Sequence, residues 1–378
     1  MRNIKPTVMA YYFPNWHVDP RNEQWHGPGW TEWEVLKYSR PRFEGHKQPK
    51  KPLWGYLDES DPEVMAKKID TAVDHGVDGF IFDWYWFNDG GYRLNCIDKG
   101  FLGAKNCEKA KFAVMWCNHD PIYVHPAGKT TGNMKLLDGN LTVQSFYEGT
   151  EHCIKNYFCR PNYLRNSKGQ LYFCIHLPQR LMENFGGPDG MRLVLKDFRR
   201  RVKEAGLGEL DINAMAEFSE DFYKDPKACM EKMKYMGFDS FSSHGLPPGI
   251  VDDLPFPHRR YSECMRCNIG QFENFTNRCE GFPYNLLLYK GYDLSPRSIP
   301  SEVYGQYGGF FDRIISDNTP EKFEEVCKAG KKFFEEKGTG EYILIYAWNE
   351  WTEGGYLEPD TDDGYGYLEA IKRTFKEN

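Results

Sequence analysis

The segment EYILIYAWNEWTEGG, residues 341–355, joins an apolar run to a polar one and indicates how the chain folds. Residues 341–346 are almost wholly apolar, which indicates a strand buried on both faces. Glu350 and Glu353 follow directly, between tryptophans and a pair of glycines. Seven earlier short runs are apolar or rich in β-forming residues, and most are apolar throughout, so the sequence predicts eight strands, at 7–13, 78–83, 111–116, 170–175, 209–214, 238–242, 284–288 and 341–346.

Amphipathic segments alternate with these strands, in the order typical of a parallel sheet with crossover helices. The predicted helices are 61–75, 144–158, 188–206, 225–236, 320–337 and 364–376. The first is bounded by Asp61 as N-cap, Pro62 in its first turn and Gly76 after its end. Together these elements predict an α/β fold, a (β/α)8 TIM barrel.

No repeat, low-complexity tract or linker divides the 378 residues, a length that such barrels reach as one domain. We therefore predict a single catalytic domain over residues 1–378, with long loops after the strands. Segments 14–60 and 243–283 show no clear periodicity, and long loops in compact domains tend to be functional. A loop insertion at 243–283 is the one alternative to an undivided barrel.

Charge and composition exclude some classes of partner. Lys and Arg number 48 against 55 Asp and Glu, and no basic run suggests nucleic-acid binding. No stretch approaches the roughly 18 apolar residues of a membrane span. Aromatic residues make up 16% of the chain and suit stacking against sugars, although packing in a large core explains them equally. We expect an oligosaccharide or polysaccharide substrate.

The eleven cysteines are an odd number, and several lie in apolar or helical stretches, which favours thiols in a reducing compartment. No cleavage site follows the first ten residues, so we expect a cytoplasmic protein, or a periplasmic or secreted one if a signal peptide was removed. Cys264 and Cys267 form a CxxC near Cys279 and His258, but the second ligand pair of a strong zinc motif is missing. We predict no metal and no cofactor.

Glu350 and Glu353 are the strongest candidates for catalysis. Their spacing brings both carboxylates into one pocket if the turn between them is helical. Glycosidic chemistry needs one acid to protonate the departing oxygen and a second carboxylate as base or nucleophile. An isolated ExxE more often caps or solvates a loop, but here the pair stands at a strand end, where barrel enzymes place their active sites.

Other side chains near the ends of the predicted strands are candidates for substrate binding. These are Tyr11, Tyr12, His17, Trp30, Glu32, Asp83, Trp84, Trp116, Asn118, His119, His244, Arg297, Trp348, Asn349 and Trp351, with His176 as a further histidine. Asp83 closes an apolar strand, where a carboxylate is costly unless it bonds a substrate or a neighbour. Arg297 can brace a carboxylate such as Glu350. Any single histidine or asparagine is more often structural, and Trp30 can equally plug the barrel rim.

Long motifs resemble the WbsX-like proteins, relatives of glycoside hydrolase family 99. They are YYFPNWH at 11–17, WHGPGWTEW at 25–33, FEGHKQP at 43–49, GVDGFIFDWYWF at 76–87, MWCNHD at 115–120, YDLSPR at 292–297 and AWNEWTEGGYLEPDTDDGYGY at 347–367. The resemblance covers nearly the whole chain. It implies a (β/α)8 barrel that acts on glycans.

Family 99 members are retaining endo-acting α-mannosidases with a carboxylate pair that matches Glu350 and Glu353. The resemblance implies that Glu350 deprotonates the sugar 2-hydroxyl, which attacks its own anomeric carbon to give a 1,2-anhydro sugar. Glu353 would protonate the leaving oxygen and later activate water. The chain departs from family 99 where Trp351 and Thr352 replace a histidine-containing pair, and it has His119 where WbsX-like relatives more often have Glu. These departures leave the sugar open.

Two alternatives to a hydrolase remain. WbsX-like proteins have been labelled glycosyltransferases of surface-polysaccharide assembly, which would require a nucleotide-sugar site. Neither a DxD-type motif at a strand end nor a Gly-rich phosphate loop stands out in the sequence. The other alternative is a non-catalytic glycan-binding barrel, which the intact carboxylate pair makes the weaker reading.

Overall fold

Eight parallel strands form the centre of the molecule in a computed structural model that describes residues 5–131, 134–215, 219–246, 250 and 254–377. They are β1 Thr7–Tyr12, β2 Gly79–Phe87, β3 Lys111–Trp116, β4 Leu171–Ile175, β5 Leu210–Ala214, β6 Ser240–Ser242, β7 Tyr284–Tyr289 and β8 Tyr342–Tyr346. All eight lie where the sequence predicts strands. The largest difference is in β2, which continues to Phe87.

The sheet closes on itself. Each strand pairs in parallel with its neighbour in sequence. β8 then pairs with β1, where Thr7 lies opposite Tyr342 and Ala10 opposite Ile345. Nearly every strand residue is buried, as expected for strands with helices outside and packed side chains inside. The predicted single-domain (β/α)8 TIM barrel is therefore confirmed.

Eleven α-helices occur in the described ranges, and seven of them follow the barrel strands as its outer layer. All are α1 Pro20–His26, α2 Trp33–Tyr38, α3 Pro62–Asp74, α4 Val143–Asn156, α5 Pro178–Asn184, α6 Pro188–Glu204, α7 Glu220–Lys224, α8 Pro226–Met236, α9 Tyr261–Arg278, α10 Pro320–Lys337 and α11 Gly366–Phe375. The outer layer contains α3, α4, α6, α8, α9, α10 and α11, and all but α9 were predicted. None of the described helices is long and apolar enough to cross a bilayer.

Helix α9 lies in segment 243–283, for which we predicted no regular structure, and that prediction is wrong for residues 261–278. The buried face of α9 includes the polar residues Asn268 and Gln271, which hide the apolar period. Asn268 donates to the Leu287 carbonyl at 2.9 Å and accepts from the Tyr289 amide at 3.0 Å. It thus binds the α9 helix to β7. Residues 247–249 and 251–253 of the segment lie outside the described part of the chain.

Segment 14–60 likewise contains the short helices α1 and α2. Between β2 and β3 the chain makes a hairpin instead of a long helix. Gly90–Tyr92 returns antiparallel to β2, with Tyr92 opposite Tyr85, and a π-helical turn follows at Cys96–Phe101. The hairpin brings Arg93 back to the end of the barrel at which the strands terminate.

Candidate active site

The candidate catalytic carboxylates lie on a tight hairpin after β8. Asn349–Glu350 pairs antiparallel with Gly355–Tyr356, and a single 3₁₀ turn at Trp351–Glu353 joins the two. Side chains three residues apart eclipse in a 3₁₀ helix, so Glu350 and Glu353 extend to the same side. Both line a cavity of about 410 Å³ at the C-terminal end of the barrel.

The two glycines after Glu353 allow this close packing. Gly354 has a φ of +70°, and a Cβ there would lie 2.8 Å from the Asp293 amide nitrogen. A Cβ on Gly355 would lie 2.2 Å from the ring of Tyr346. Larger residues would force the hairpin away from the end of β8.

One guanidinium contacts three carboxylates. Arg297 forms an ion pair with Glu353, and its Nη2 lies 3.3 Å from Glu350 Oε2 and 3.1 Å from Glu32 Oε1. Its Nε donates to Thr352 Oγ1 at 2.9 Å. Arg297 therefore fixes the relative positions of the two candidate catalytic carboxylates, and it lies on a three-residue 3₁₀ helix at Ser295–Arg297.

Buried charges set the protonation of these groups. Burial and the neighbouring Glu353 charge raise the pKa of Glu350 well above its ordinary value. Burial also acts to raise the pKa of Glu32, but His125 and Arg297 outweigh it and hold that pKa well below the ordinary range. The carboxylate of Glu353 contacts Arg297 and the Tyr346 hydroxyl. Glu350 therefore holds a proton more tightly than an exposed carboxyl does.

Asp83 stands at the cavity surface with 5% of its area exposed. Its Oδ1 has no hydrogen-bond partner among the residues that the structure describes. Burial, then the Glu353 charge, raises the pKa of Asp83 well above its ordinary value and so favours its protonated form. A protonated, unsatisfied carboxyl is suited to bind a ligand hydroxyl.

Three histidines form a row along the cavity. The ring centroids of His119 and His176 are 5.8 Å apart, and those of His176 and His244 are 5.6 Å apart. Burial lowers the pKa of all three, and that of His244 to about 4. Neutral imidazoles both donate and accept hydrogen bonds, as sugar hydroxyls require. Among the described residues no group of three His, Cys, Asp or Glu side chains could hold a metal.

Most of the cavity lining was not predicted from the sequence, and Arg93 and His125 are two of the residues that were missed. The Arg93 guanidinium lies over the rings of Phe13, Tyr85 and Tyr92, at 4.9, 4.9 and 4.4 Å from their centroids. His125 Nε2 lies 3.3 Å from Glu32 Oε2. The dipeptide Asp89-Gly90 is a hairpin signal that would have returned the chain toward the cavity just before Arg93. For His125 the sequence carries no comparable signal.

Of the predicted site residues, six line the cavity together with His176: Asp83, His119, His244, Arg297, Glu350 and Glu353. Glu32 is fully buried behind Arg297. Tyr11 lies behind His244, 5.0 Å between ring centroids, and its hydroxyl donates to the Ser243 carbonyl. Trp30 packs on His26 and His125.

Each of the two predicted asparagines acts as a backbone clamp, which means that its side-chain amide makes two hydrogen bonds to the backbone of one distant residue. Asn349 accepts from the Phe13 amide at 2.8 Å and donates to the Phe13 carbonyl at 2.9 Å. Asn118 makes the same pair of bonds, both 2.8 Å, with the backbone of Leu177. Each clamp joins the chain after one strand to the chain after its neighbour in the barrel.

The remaining predicted residues support the site from outside the cavity. Trp348 and Trp351 donate their indole N–H groups to the two oxygens of Glu358, at 3.0 and 2.7 Å. Lys68 pairs with the same carboxylate at 2.8 Å. Lys68 also donates to Tyr12, whose hydroxyl donates to Glu59, and Glu59 contacts His17 at 2.9 Å. Trp84 and Trp116 pack against one another, with Trp116 stacked on Phe146 of α4.

The fold and the site together define a glycosidase-like TIM barrel. Residues 8–371 match the family model described as Glycosyltransferase WbsX, and the chain belongs to that family. Two curated relatives, each named Uncharacterized protein WxcX, come from two strains of Xanthomonas campestris pv. campestris. Each is 24% identical over 98% of this chain and 50% of the relative, so the chain spans about half their length.

Solved structures share the fold. The GH99 endo-alpha-mannosidase from Bacteroides thetaiotaomicron is 14% identical, with a TM-score of 0.62 over 99% of this chain and 98% of that one. A structure described as a glycoside hydrolase-like protein is 17% identical, with a TM-score of 0.64 over 99% and 95%. The family 1 β-glucosidase from Thermotoga maritima is 10% identical, with a TM-score of 0.52 over 100% and 99%. At these identities the likeness establishes the architecture alone.

Proposed function

We propose that the protein is a retaining glycoside hydrolase that cleaves an α-mannoside or a related glycan. The observation that carries the proposal is the position of Glu350 and Glu353, which face one cavity and share one guanidinium. Glycoside hydrolysis needs such a pair, with one group that delivers a proton and one that removes it. Neutral histidines and the unsatisfied Asp83 supply polar partners for the sugar around the pair.

In the proposed reaction Glu350 removes the proton of the sugar 2-hydroxyl, and that oxygen attacks the anomeric carbon while the glycosidic bond breaks. Glu353 gives its proton to the departing oxygen. In the second half, Glu353 takes a proton from water, which opens the 1,2-anhydro ring, and Glu350 returns the proton to O2. Two inversions at the anomeric carbon give net retention.

Burial and the Glu353 charge favour the protonated form of Glu350, whereas the proposed reaction needs Glu350 ionised and the proton on Glu353. Binding of the glycan must therefore be accompanied by transfer of this proton to Glu353. Arg297 contacts both carboxylates and compensates whichever of them is charged. This positioning keeps the electrostatic cost of the exchange low.

Leaving-group dependence tests the two roles. A nitrophenolate departs without protonation, so Glu353→Gln should release a first equivalent of nitrophenol from a nitrophenyl α-mannoside while failing on an alkyl α-mannoside. Glu350→Gln should fail on both. Glu369 is a half-exposed carboxylate on α11, so Glu369→Gln is the matched control and should cleave both substrates as the wild type does. Equal activity of all three variants would refute the assignment.

The family description favours a second candidate, transfer of a sugar from a nucleotide donor. A folded transferase must bind the nucleotide-sugar donor, and binding to the folded state raises the melting temperature of the protein. A rise with GDP- or UDP-sugars, together with no release of sugar from any α-mannan, would favour transfer. Cleavage of α-mannan with no effect of nucleotide sugars would favour hydrolysis.

A further inference from the structure

One side of the cavity differs in chemistry from the catalytic side. Four side chains from the segment after β3 line it, and none of them can hydrogen-bond. We call this surface the apolar wall; it consists of Pro121, Ile122, Val124 and Leu136. The catalytic side presents carboxylates, histidines and Arg297 to the same space. A sugar bound in the cavity therefore meets a hydrocarbon surface as well as hydrogen-bonding partners.

The wall has a defined backbone. The Tyr123 amide donates to the Met134 carbonyl at 2.8 Å, and the Leu136 amide donates to the Pro121 carbonyl at 2.8 Å. An antiparallel bridge pairs Ile122 with Lys135. Ile122 and Val124 both face the cavity because alternate residues of an extended chain point the same way. Leu136, from the returning strand, adds to the same surface.

The segment is fixed on either side of residues 121–124, and on one of these sides it is fixed to the Glu32–Arg297 pair. At one end Asp120 pairs with Arg180 at 2.5 Å and accepts from the Gly139 amide at 2.7 Å. At the other end His125 contacts Glu32 at 3.3 Å, and the Ala127 amide donates to the Arg297 carbonyl at 2.6 Å. Val124 is thus next in sequence to a residue that contacts the partner of Arg297. The wall consequently faces the sugar at the scissile bond or the sugar next to it.

A hydroxyl directed at the apolar wall would lose its bonds to water without replacing them. A methyl group in the same place would be removed from water at no such cost. We propose that the cognate glycan carries a methyl-bearing group at this position, and that Ile122, Val124 and Leu136 select it. The group is either the C6 methyl of a 6-deoxyhexose or the methyl of an acetyl ester. This inference rests on the proposed function, since it assumes that the cavity binds a glycan.

The proposed chemistry also limits where the group is attached. Glu350 needs a free 2-hydroxyl on the sugar whose bond is cleaved. An acetyl group on that sugar therefore occupies O3, O4 or O6, and a deoxy position is C6. Three probes separate these sources: nitrophenyl α-D-mannoside, its 6-deoxy counterpart and its 6-O-acetyl counterpart.

Both kcat/KM of the wild type and Kd of Glu353→Gln should be measured for each probe. The wall predicts a preference of about tenfold or more for one methyl-bearing probe over the parent mannoside, the range that one apolar group gives in a hydrophobic pocket. Ile122→Thr should reduce this ratio toward one, chiefly by lowering kcat/KM and weakening binding for the methyl-bearing probe. Met134 is an exposed residue of the segment that carries the apolar wall, so Met134→Thr is the matched control and should retain the ratio.

The outcomes separate the two proposals. Cleavage of all three probes with no preference, or a preference that Ile122→Thr leaves intact, would refute selection of a methyl group by the apolar wall. The proposed hydrolase activity would be unaffected by that result. A binding preference without cleavage would support the wall and overturn hydrolysis. Failure of all three probes to bind would overturn the wall. Saturation-transfer NMR on Glu353→Gln gives an independent check, because the substituent methyl should be the most strongly saturated proton of the bound probe.

Discussion

Substitution of Glu32 by glutamine should shift the pH dependence of the catalytic pair although Glu32 does not line the cavity. Glu32 is fully buried, accepts from Asn15 at 2.5 Å and lies 3.1 Å from the Arg297 guanidinium. Besides Glu32, the charged groups that act on Glu350 are Glu353, Asp83 and Arg297. Removal of the Glu32 charge therefore leaves Arg297 to act more fully on the catalytic carboxylates.

The size of the shift follows from the geometry. Glu32 and Glu350 contact the same Arg297 nitrogen at 3.1 and 3.3 Å, so their charges are about 6 Å apart. Coulomb's law at an effective dielectric constant of about 20 gives roughly 3 kcal/mol at that distance, or about two pKa units. Relaxation of the site reduces this, and we expect the pKa of Glu350 to fall by about one unit.

A lower pKa of Glu350 moves the acid limb of kcat/KM to lower pH, because Glu350 must be ionised to act as the base. The assay is a pH profile of kcat/KM on the best cleaved glycoside, beside a carboxyl ¹³C NMR titration that needs no substrate. The matched control is Glu369→Gln. Arg297 keeps two carboxylate partners in Glu32→Gln, so the loss of folding free energy should stay below the roughly 3–5 kcal/mol of a fully broken buried pair. An unchanged or raised Glu350 pKa in a folded variant would refute the reasoning.

Three further predictions concern stability. Asn349→Ala leaves the amide and carbonyl of Phe13 unsatisfied, and urea denaturation should show a loss of about 1–3 kcal/mol for each orphaned group. Lys68→Met removes the charge partner of the buried Glu358 carboxylate, so thermal unfolding should show that the free energy of unfolding falls by about 3–5 kcal/mol. A fall of under 1 kcal/mol would contradict the role of Lys68 as that partner. Burial lowers the pKa of Lys290 to about 7. The unfolded state thus binds more protons than the folded state above pH 7, and stability should rise toward pH 9.5 by up to about 1.4 kcal/mol per pH unit from this group. Lys290→Met should remove this contribution to the slope of unfolding free energy against pH. A slope identical to that of the wild type would contradict a lowered pKa for Lys290.

The barrel could be predicted from the sequence because most of its strands are buried on both faces and are therefore apolar throughout. The Glu350–Glu353 pair could be found for a related reason, since carboxylates directly after such a strand stand out. Helix α9 could not be predicted in the same way. Its inward face uses Asn268 and Gln271 to bind barrel backbone, so apolar periodicity fails where polar side chains serve packing.

The sequence does not show on which side of the hairpin after β8 a given side chain lies. Trp348 and Trp351 are neighbours of the catalytic pair in sequence, yet both turn toward the buried Glu358. Arg93 and His125 reach the cavity from distant loops. Their positions depend on how the hairpin after β2 and the segment after β3 fold back, and only the first of these carries a recognisable turn signal.

The stereochemistry of the first product tests the central claim most directly. Time-resolved ¹H NMR of the anomeric proton during cleavage of an α-mannan oligosaccharide should show the α-anomer first, followed by mutarotation. The signal should be absent with Glu350→Gln and unchanged with Glu369→Gln. Initial release of the β-anomer, or full activity of Glu350→Gln, would contradict a retaining reaction carried out by the Glu350–Glu353 pair.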